Sequence, residues 1–272
     1  MNSDRLVHKT LLSAAVAAAS LNAGLASAAQ IEEVIVTTQK RAQSLQDVPI
    51  SVSAFTGSFI EKAQISDAKA MALLTPGVSG DTDDSFLDSM NVRGISTNDF
   101  GVGAEPSIGV YQDGIYLGRT GGALSSFFDI ELVEVVKGPQ GTLFGRNASA
   151  GAISITTAKP TDEQSGSLDI GLGEDGYAEF TGVINIPIND QWSSRTAIYM
   201  QQRDGWVTNI NDGKQVGEVD NLAARYTLAY DNDTVAATLM LEYEDRQGPP
   251  TVYQVFDADD SGLPWFSSDA GE

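Results

Sequence analysis

The sequence predicts a two-part chain: an α+β domain, then the start of an antiparallel β structure patterned like a transmembrane barrel that this chain leaves incomplete. Three observations carry that prediction. An export leader opens the chain, mixed helix and strand signals fill residues 47–160, and after Pro160 helix signals vanish in favour of alternating segments.

The leader reads first. Arg5 and Lys9 make a short positive region, "LLSAAVAAASLNAGLA" an apolar core, and "ASAAQ" supplies small residues for cleavage after Ala28 or Ala29. Residues 1–29 are therefore expected to be a signal peptide, since a membrane helix needs about 20 apolar residues. The single histidine, His8, lies in that leader, and the chain has no cysteine. A mature chain without either cannot build a Ser-His-Asp triad or a Cys/His zinc site. Only carboxylate chemistry stays open, so no catalytic residue, metal ligand or cofactor is assigned and an enzyme is not expected. The net charge of −21, from 16 Lys+Arg against 37 Asp+Glu, excludes a nucleic-acid partner, which wants a basic face.

Residues 30–46 hold the stretch "IEEVIVTTQKR", whose centre Val34–Thr38 is β-branched throughout and favours extended chain. No hairpin turn supplies it with a neighbour, so it is expected to be a lone strand.

In 47–160, "PISVSAF" (Pro49–Phe55) alternates like a strand. "SDAKAMALLTPGV" reads as a short helix with Ser66 as N-cap, Asp67 in the first turn and Pro76-Gly77 as the stop. Ala68, Met71 and Ala72 then share one face, a core stripe. "VYQDGIYL" is a hairpin with Asp113-Gly114 as its two-residue turn, and "IELVEVV" and "AISITT" are two more strands.

In 161–272 five long strands are expected: Ser167–Gly173, Tyr177–Ile188, Trp192–Arg203, Leu222–Tyr230 and Val235–Arg246. In the last two, Leu222, Ala224, Tyr226, Leu228 and Tyr230 oppose Ala223, Arg225, Thr227 and Ala229, while Val235, Ala237, Leu239, Leu241 and Tyr243 oppose Ala236, Thr238, Met240, Glu242 and Glu244. One apolar face, tyrosines near strand ends and turns alternating short and long suit a membrane barrel. A soluble β-sandwich shows the same period.

"IELVEVVKGPQGTLFGRNASAGAISITTAKP" (Ile130–Pro160) resembles the end of the plug domain of TonB-dependent outer-membrane receptors. "LTPGV" (Leu74–Val78), "NVRGI" (Asn91–Ile95) and "VYQDGIYLGR" (Val110–Arg119) match that plug in order, and "RDGW" (Arg203–Trp206) is similar to the end of an early barrel strand. The resemblance implies a plug at 47–160, a barrel opening at 161–272 and residence in the outer membrane. It also implies that Glu33, Val34, Ile35, Val36, Thr37 and Thr38 form a TonB box, pairing as an added strand with periplasmic TonB and so with its inner-membrane energising complex. From the short span after the leader, the extra signalling domain of some members is not expected. Arg93, Lys137 and Arg146 are implied plug–barrel contacts. An iron–siderophore complex is the implied cargo, with cobalamin, haem and oligosaccharides as alternatives.

Other readings fare worse. "GPQGTLFGR" lacks the Gly-Lys-Ser/Thr ending of a phosphate loop. "DADDSG" (Asp257–Gly262) has calcium-loop spacing, but Ser268 stands where the closing glutamate is needed. A 22-stranded barrel needs roughly 450 residues, so the expectation is an N-terminal fragment of a receptor. The rival from another class is a soluble exported binding or adhesion domain with a β-sandwich second half. A carboxylate hydrolase is third.

Overall fold

The computed structural model describes residues 34–38, 40–72, 74–79, 90–96, 106–118, 125–208, 213–232 and 234–247. The leader, Glu33 and the Asp257–Gly262 loop lie outside the described residues.

The chain enters through β1 (Ile35–Val36) and β2 (Gln43–Ser44), an antiparallel pair with Ile35 opposite Ser44 and Val36 opposite Gln43. The expectation of a lone strand is thus corrected. Thr37–Ala42 loops back, with Lys40 in the left-handed region (φ 61°) and its N–H donating to the Thr37 carbonyl. The turn was missed because Gly, Asn and Asp normally mark such positions and a lysine does not.

β3 (Val52–Thr56) runs straight into α1 (Gly57–Lys62), a helix that the sequence pattern did not predict. The helix α2 (Ala68–Ala72) follows, and its cap is Asp67 rather than Ser66: the Asp67 carboxylate accepts from the Ala70 N–H at 2.8 Å. Ala68, Met71 and Ala72 are buried, as their shared face requires. Short strands β4 (Val78–Ser79) and β5 (Asn91–Val92) pair with each other.

β6 (Ile108–Gln112) and β7 (Ile115–Tyr116) form the expected hairpin, and Asp113 (φ 48°) and Gly114 (φ 82°) both have the positive φ of a type I′ turn. β8 (Ile130–Lys137), α3 (Gly141–Phe144) and β9 (Gly151–Thr157) complete a mixed sheet of order β3-β8-β9-β6-β7, in which only β6 and β9 are parallel. Its core is its own: Ile60, Met71, Met90, Val110, Val133, Val135 and Ile153 pack with residues that all precede Pro160.

The second sheet is wholly antiparallel: β10 (Ser165–Leu172), β11 (Ala178–Asn189), β12 (Trp192–Arg203), β15 (Val219–Asp231) and β16 (Ala236–Gln247), side by side in that order. All five expected long strands are present, within a few residues of their expected ends. The connection read as plain loop between the third and fourth carries a small hairpin, β13 (Val207–Thr208) with β14 (Gln215–Val216). Alternation divides the sheet's two faces. Leu168, Ile170, Leu172, Ile184, Ile186, Met200, Leu239, Leu241 and Tyr243 are exposed on one, while Asn185, Ala197, Tyr199, Ala223, Arg225 and Thr227 are buried on the other. A soluble sheet would hide its apolar face; this one hides its polar face, the arrangement of a barrel wall in lipid. No described helix is long and apolar enough to cross a membrane.

Candidate functional site: the docked N-terminal strand and the plug–wall contact

Two constellations bear on function, and both involve β8 or the residues just before it. The first holds the N-terminal strand. Ile35 is exposed (46 %), but Val36 and Thr38 are buried at 1 % and 2 %. The Glu134 carboxylate, buried inside β8, accepts three bonds from this segment. The Thr37 N–H donates to Oε1 at 2.6 Å, the Thr38 N–H to Oε1 at 3.1 Å, and the Thr37 hydroxyl to Oε2 at 3.1 Å. Burial pushes the Glu134 carboxyl above the usual carboxylate range, and the bonds from Thr37 and Thr38 pull the other way. The Thr38 hydroxyl is buried without a hydrogen-bond partner, a cost to the docked state. The loop after the strand walls a cleft of about 440 Å³ shared with Asp113, Phe144 and Lys159.

The second constellation joins the first domain to the second sheet. Phe128, two residues before β8, stacks on Tyr199 (5.9 Å between centroids, 17° between planes) and packs against Ala197 and Ala223. Small residues there open a notch in the wall for the ring. Arg225, 3 % exposed, places its guanidinium carbon 4.3 Å from the Phe128 centroid and donates to the carbonyls of Phe128 (3.1 Å) and Asp129 (3.3 Å). Glu242 balances its charge. Asp129 receives a two-pronged bond from Arg195 through Nε and Nη2. Around these, Gln112 donates to Glu242, the Ser126 N–H to Glu244, and Arg246 to Asp67.

The connection between the parts is also held at both sides. Asp113 accepts from Thr157 and Lys159, and Asn185, fully buried in the wall, bonds Thr161 and Glu163.

Against this geometry the sequence-based candidates divide. Val34–Thr38 are within or beside the docked strand. Lys137 donates to the Ser53 hydroxyl (3.0 Å) and the Pro76 carbonyl (3.2 Å), both in its own domain, and burial pushes its ammonium below the usual lysine range. Arg93 is exposed with φ 54°, and Arg146 is exposed beside α3. Sequence reasoning missed Glu134, Phe128 and Asp129, and the wall charges Arg195, Arg225 and Glu242. A signal existed for the last two: alternation places them on the face opposite the apolar one, where a charge needs a partner.

Residues 44–152 match the family model for the TonB-dependent receptor plug domain. That stretch is a TonB-dependent receptor plug domain. It is 25 % identical over 252 residues to the vitamin B12 transporter BtuB of Vibrio vulnificus, covering 88 % of this chain and 40 % of that one. It is 26 % identical over 147 residues to the pesticin receptor of Yersinia pestis, covering 53 % and 21 %. The fold matches the ferric yersiniabactin uptake receptor FyuA from Yersinia pestis with a TM-score of 0.66 at 21 % identity, over 72 % of this chain and 31 % of that one. A pyoverdine outer membrane receptor, FpvA from Pseudomonas aeruginosa, matches at 0.63 and 19 % identity, over 78 % and 30 %. This chain spans 21–40 % of the length of those two curated relatives. The match makes the first domain a plug, and the second sheet has the fold of the corresponding part of these solved receptors.

The docked strand yields a prediction about Glu134. Gln at that position keeps one acceptor and turns an amide donor toward the Thr37 and Thr38 donors, so at least one bond to a charged group, worth about 1.5–3 kcal/mol, is lost. In Glu134→Gln, amide exchange at Thr37 and Thr38 should accelerate at least tenfold. The plug as a whole should not weaken, because a buried charge is removed. A raised carboxyl stabilises the fold below its unfolded value and loses that contribution as pH rises through the folded value. The wild-type plug should therefore melt higher at mildly acidic than at neutral pH, and the variant should lack that part of the difference. Equal exchange rates would remove Glu134 as the latch.

Proposed function

We propose that the chain supplies the TonB box, plug and first wall strands of a receptor that takes up a bulky nutrient, with an iron–siderophore complex as cargo. The observation that carries this is the β-prone strand at the chain's N-terminal side, paired with β2 over two residue pairs and held on the plug by one carboxylate. Such a segment can be released, and its main chain can then pair with a partner strand. The partner is periplasmic TonB, energised by its inner-membrane complex. Glu33–Thr38 are the box, and Arg93, Lys137 and Arg146 meet acids elsewhere on a closed wall. Cargo binding on the outside is transmitted through the plug, the box is drawn away, and the barrel opens enough for passage.

Iron–siderophore cargo is supported by the fold neighbours, which are receptors for ferric yersiniabactin and pyoverdine. Cobalamin is the second reading, favoured by the vitamin B12 transporter of Vibrio vulnificus that aligns with 88 % of the chain. The two separate in an uptake assay. A closed-barrel receptor beginning with this chain, in cells lacking their own receptors, should accumulate a labelled ferric siderophore from a panel only when TonB is present. Cobalamin accumulation would replace the cargo. Accumulation of either without TonB would overturn the mechanism.

A further inference from the structure

The plug is held unequally at its two ends, and the difference has a consequence for how it moves. We propose that Phe128–Asp129 is the fixed anchor of the plug, which stays pinned to the barrel wall there while the box-bearing end comes away. The inference rests on the plug-and-barrel reading but not on the identity of the cargo or on TonB.

At the anchor, several bonds act on two residues. The Phe128 ring fills the notch at Ala197 and Ala223, stacked on Tyr199 and covered by the Arg225 guanidinium. Arg225 also bonds both backbone carbonyls, and Arg195 grips the Asp129 carboxylate at two nitrogens. Both arginines are largely withdrawn from water, at 3 % and 18 % side-chain exposure, so leaving would strand buried charge on each side. Asp129 is held at φ 52°, a left-handed conformation that a non-glycine residue keeps only when its surroundings enforce it. The Asp129 carbonyl further accepts from Ala158 N–H in the linker to the wall. The other end has two paired residues in β1, one carboxylate and an unpartnered buried hydroxyl.

The sheet joins these ends in a way that suits partial movement. β3 runs antiparallel to β8, with Val52 opposite Val136 and Thr56 opposite Leu132. Tension entering through β2 reaches β3 at Val52, the end of the pairing remote from Asp129. The box, β1, β2 and then β3 can detach in turn while the start of β8 remains fixed.

The chain has no cysteine, so each reporter is the one thiol within it, and any cysteine in the rest of the receptor is replaced by serine. Thr38→Cys reports the box and Ala197→Cys the wall behind Phe128. Each would be placed in a closed-barrel receptor beginning with this chain, in detergent, and labelled with a maleimide as urea rises below the barrel's own transition. Thr38→Cys should label at low urea while Ala197→Cys stays at least tenfold slower. Adding Arg225→Ala to Ala197→Cys should erase that protection and leave Thr38→Cys unchanged. Asp129→Gly, which suits the left-handed backbone but lacks the carboxylate, should do the same if Arg225→Ala does not fold. Joint labelling of both sites in the parent background would overturn the proposal, as would protection of Ala197→Cys that survives Asp129→Gly. If labelling follows the expected order while TonB-dependent uptake by the parent receptor, without the reporters, fails, only the transport reading falls.

Discussion

Gly57→Ala is expected to destabilise the plug severely. Gly57 opens α1 where that helix passes over the first residues of β8, and it is buried there. A Cβ on Gly57 would lie well inside contact distance of the Ile130 carbonyl oxygen and 3.1 Å from its carbon. The obstacle is backbone, so no side chain can swing aside. Relief requires α1 or β8 to shift, and both belong to the core through Ile60, Ile130 and Val133. Overpacking usually costs about 1–3 kcal/mol, and a rigid clash more. That is a large share of the roughly 5–15 kcal/mol that holds a typical domain. Urea unfolding of residues 30–160 measures the effect, with Gly141→Ala as control. Gly141 also lies in a short helix, but a Cβ there would meet nothing within 4 Å, and alanine should be neutral or slightly stabilising. Equal midpoints for the two variants would remove the clash argument.

How much of this was legible beforehand depended on whether the cause was local. The β6–β7 hairpin was, because Asp113-Gly114 supplies two adjacent positive-φ residues and leaves few alternatives. The wall strands were, because each buries one face and a one-residue slip would invert it. The α1 helix was not: "GSFIEK" is only six residues, begins with glycine and gains its stability from burying Ile60. Nor was the docking of the N-terminal strand. Thr37 and Glu134 are 97 positions apart, and Glu134 sits in a run of valines that reads as an apolar strand. The plug–wall contact failed the same way. The inward charges Arg225 and Glu242 showed in the alternation, but the partner of Arg225, Phe128–Asp129, lies in a different domain, 97 and 96 positions away. Local chemistry located the elements, and pairing across the fold decided what they do.

The last expected result concerns the N-terminal strand, where that docking changes what a substitution means. On the proposed reading, Ile35→Pro should abolish energy-dependent uptake and leave cargo binding at the cell surface intact. An added strand draws its affinity from main-chain bonds, and proline removes the Ile35 N–H and fixes φ at the middle of the ladder. The same change costs the free plug little, because the β1–β2 pairing spans only two residue pairs and the Ile35 side chain is already 46 % exposed. Ile35→Val keeps the donor and the branched shape and should transport normally. Docking introduces a rival explanation, that proline acts by loosening the strand from the plug rather than by spoiling its pairing with TonB. Val36→Ala separates the two. Val36 is 1 % exposed, and losing two carbons at about 0.8 kcal/mol each should release the strand roughly tenfold more often. Its backbone donors remain, so uptake should hold or rise. Uptake and surface binding of labelled cargo in the three variants decide between the explanations: loss in both Ile35→Pro and Val36→Ala makes docking the essential state, loss in Ile35→Pro alone makes 33–38 the coupling strand, and normal transport by Ile35→Pro removes the segment from the mechanism.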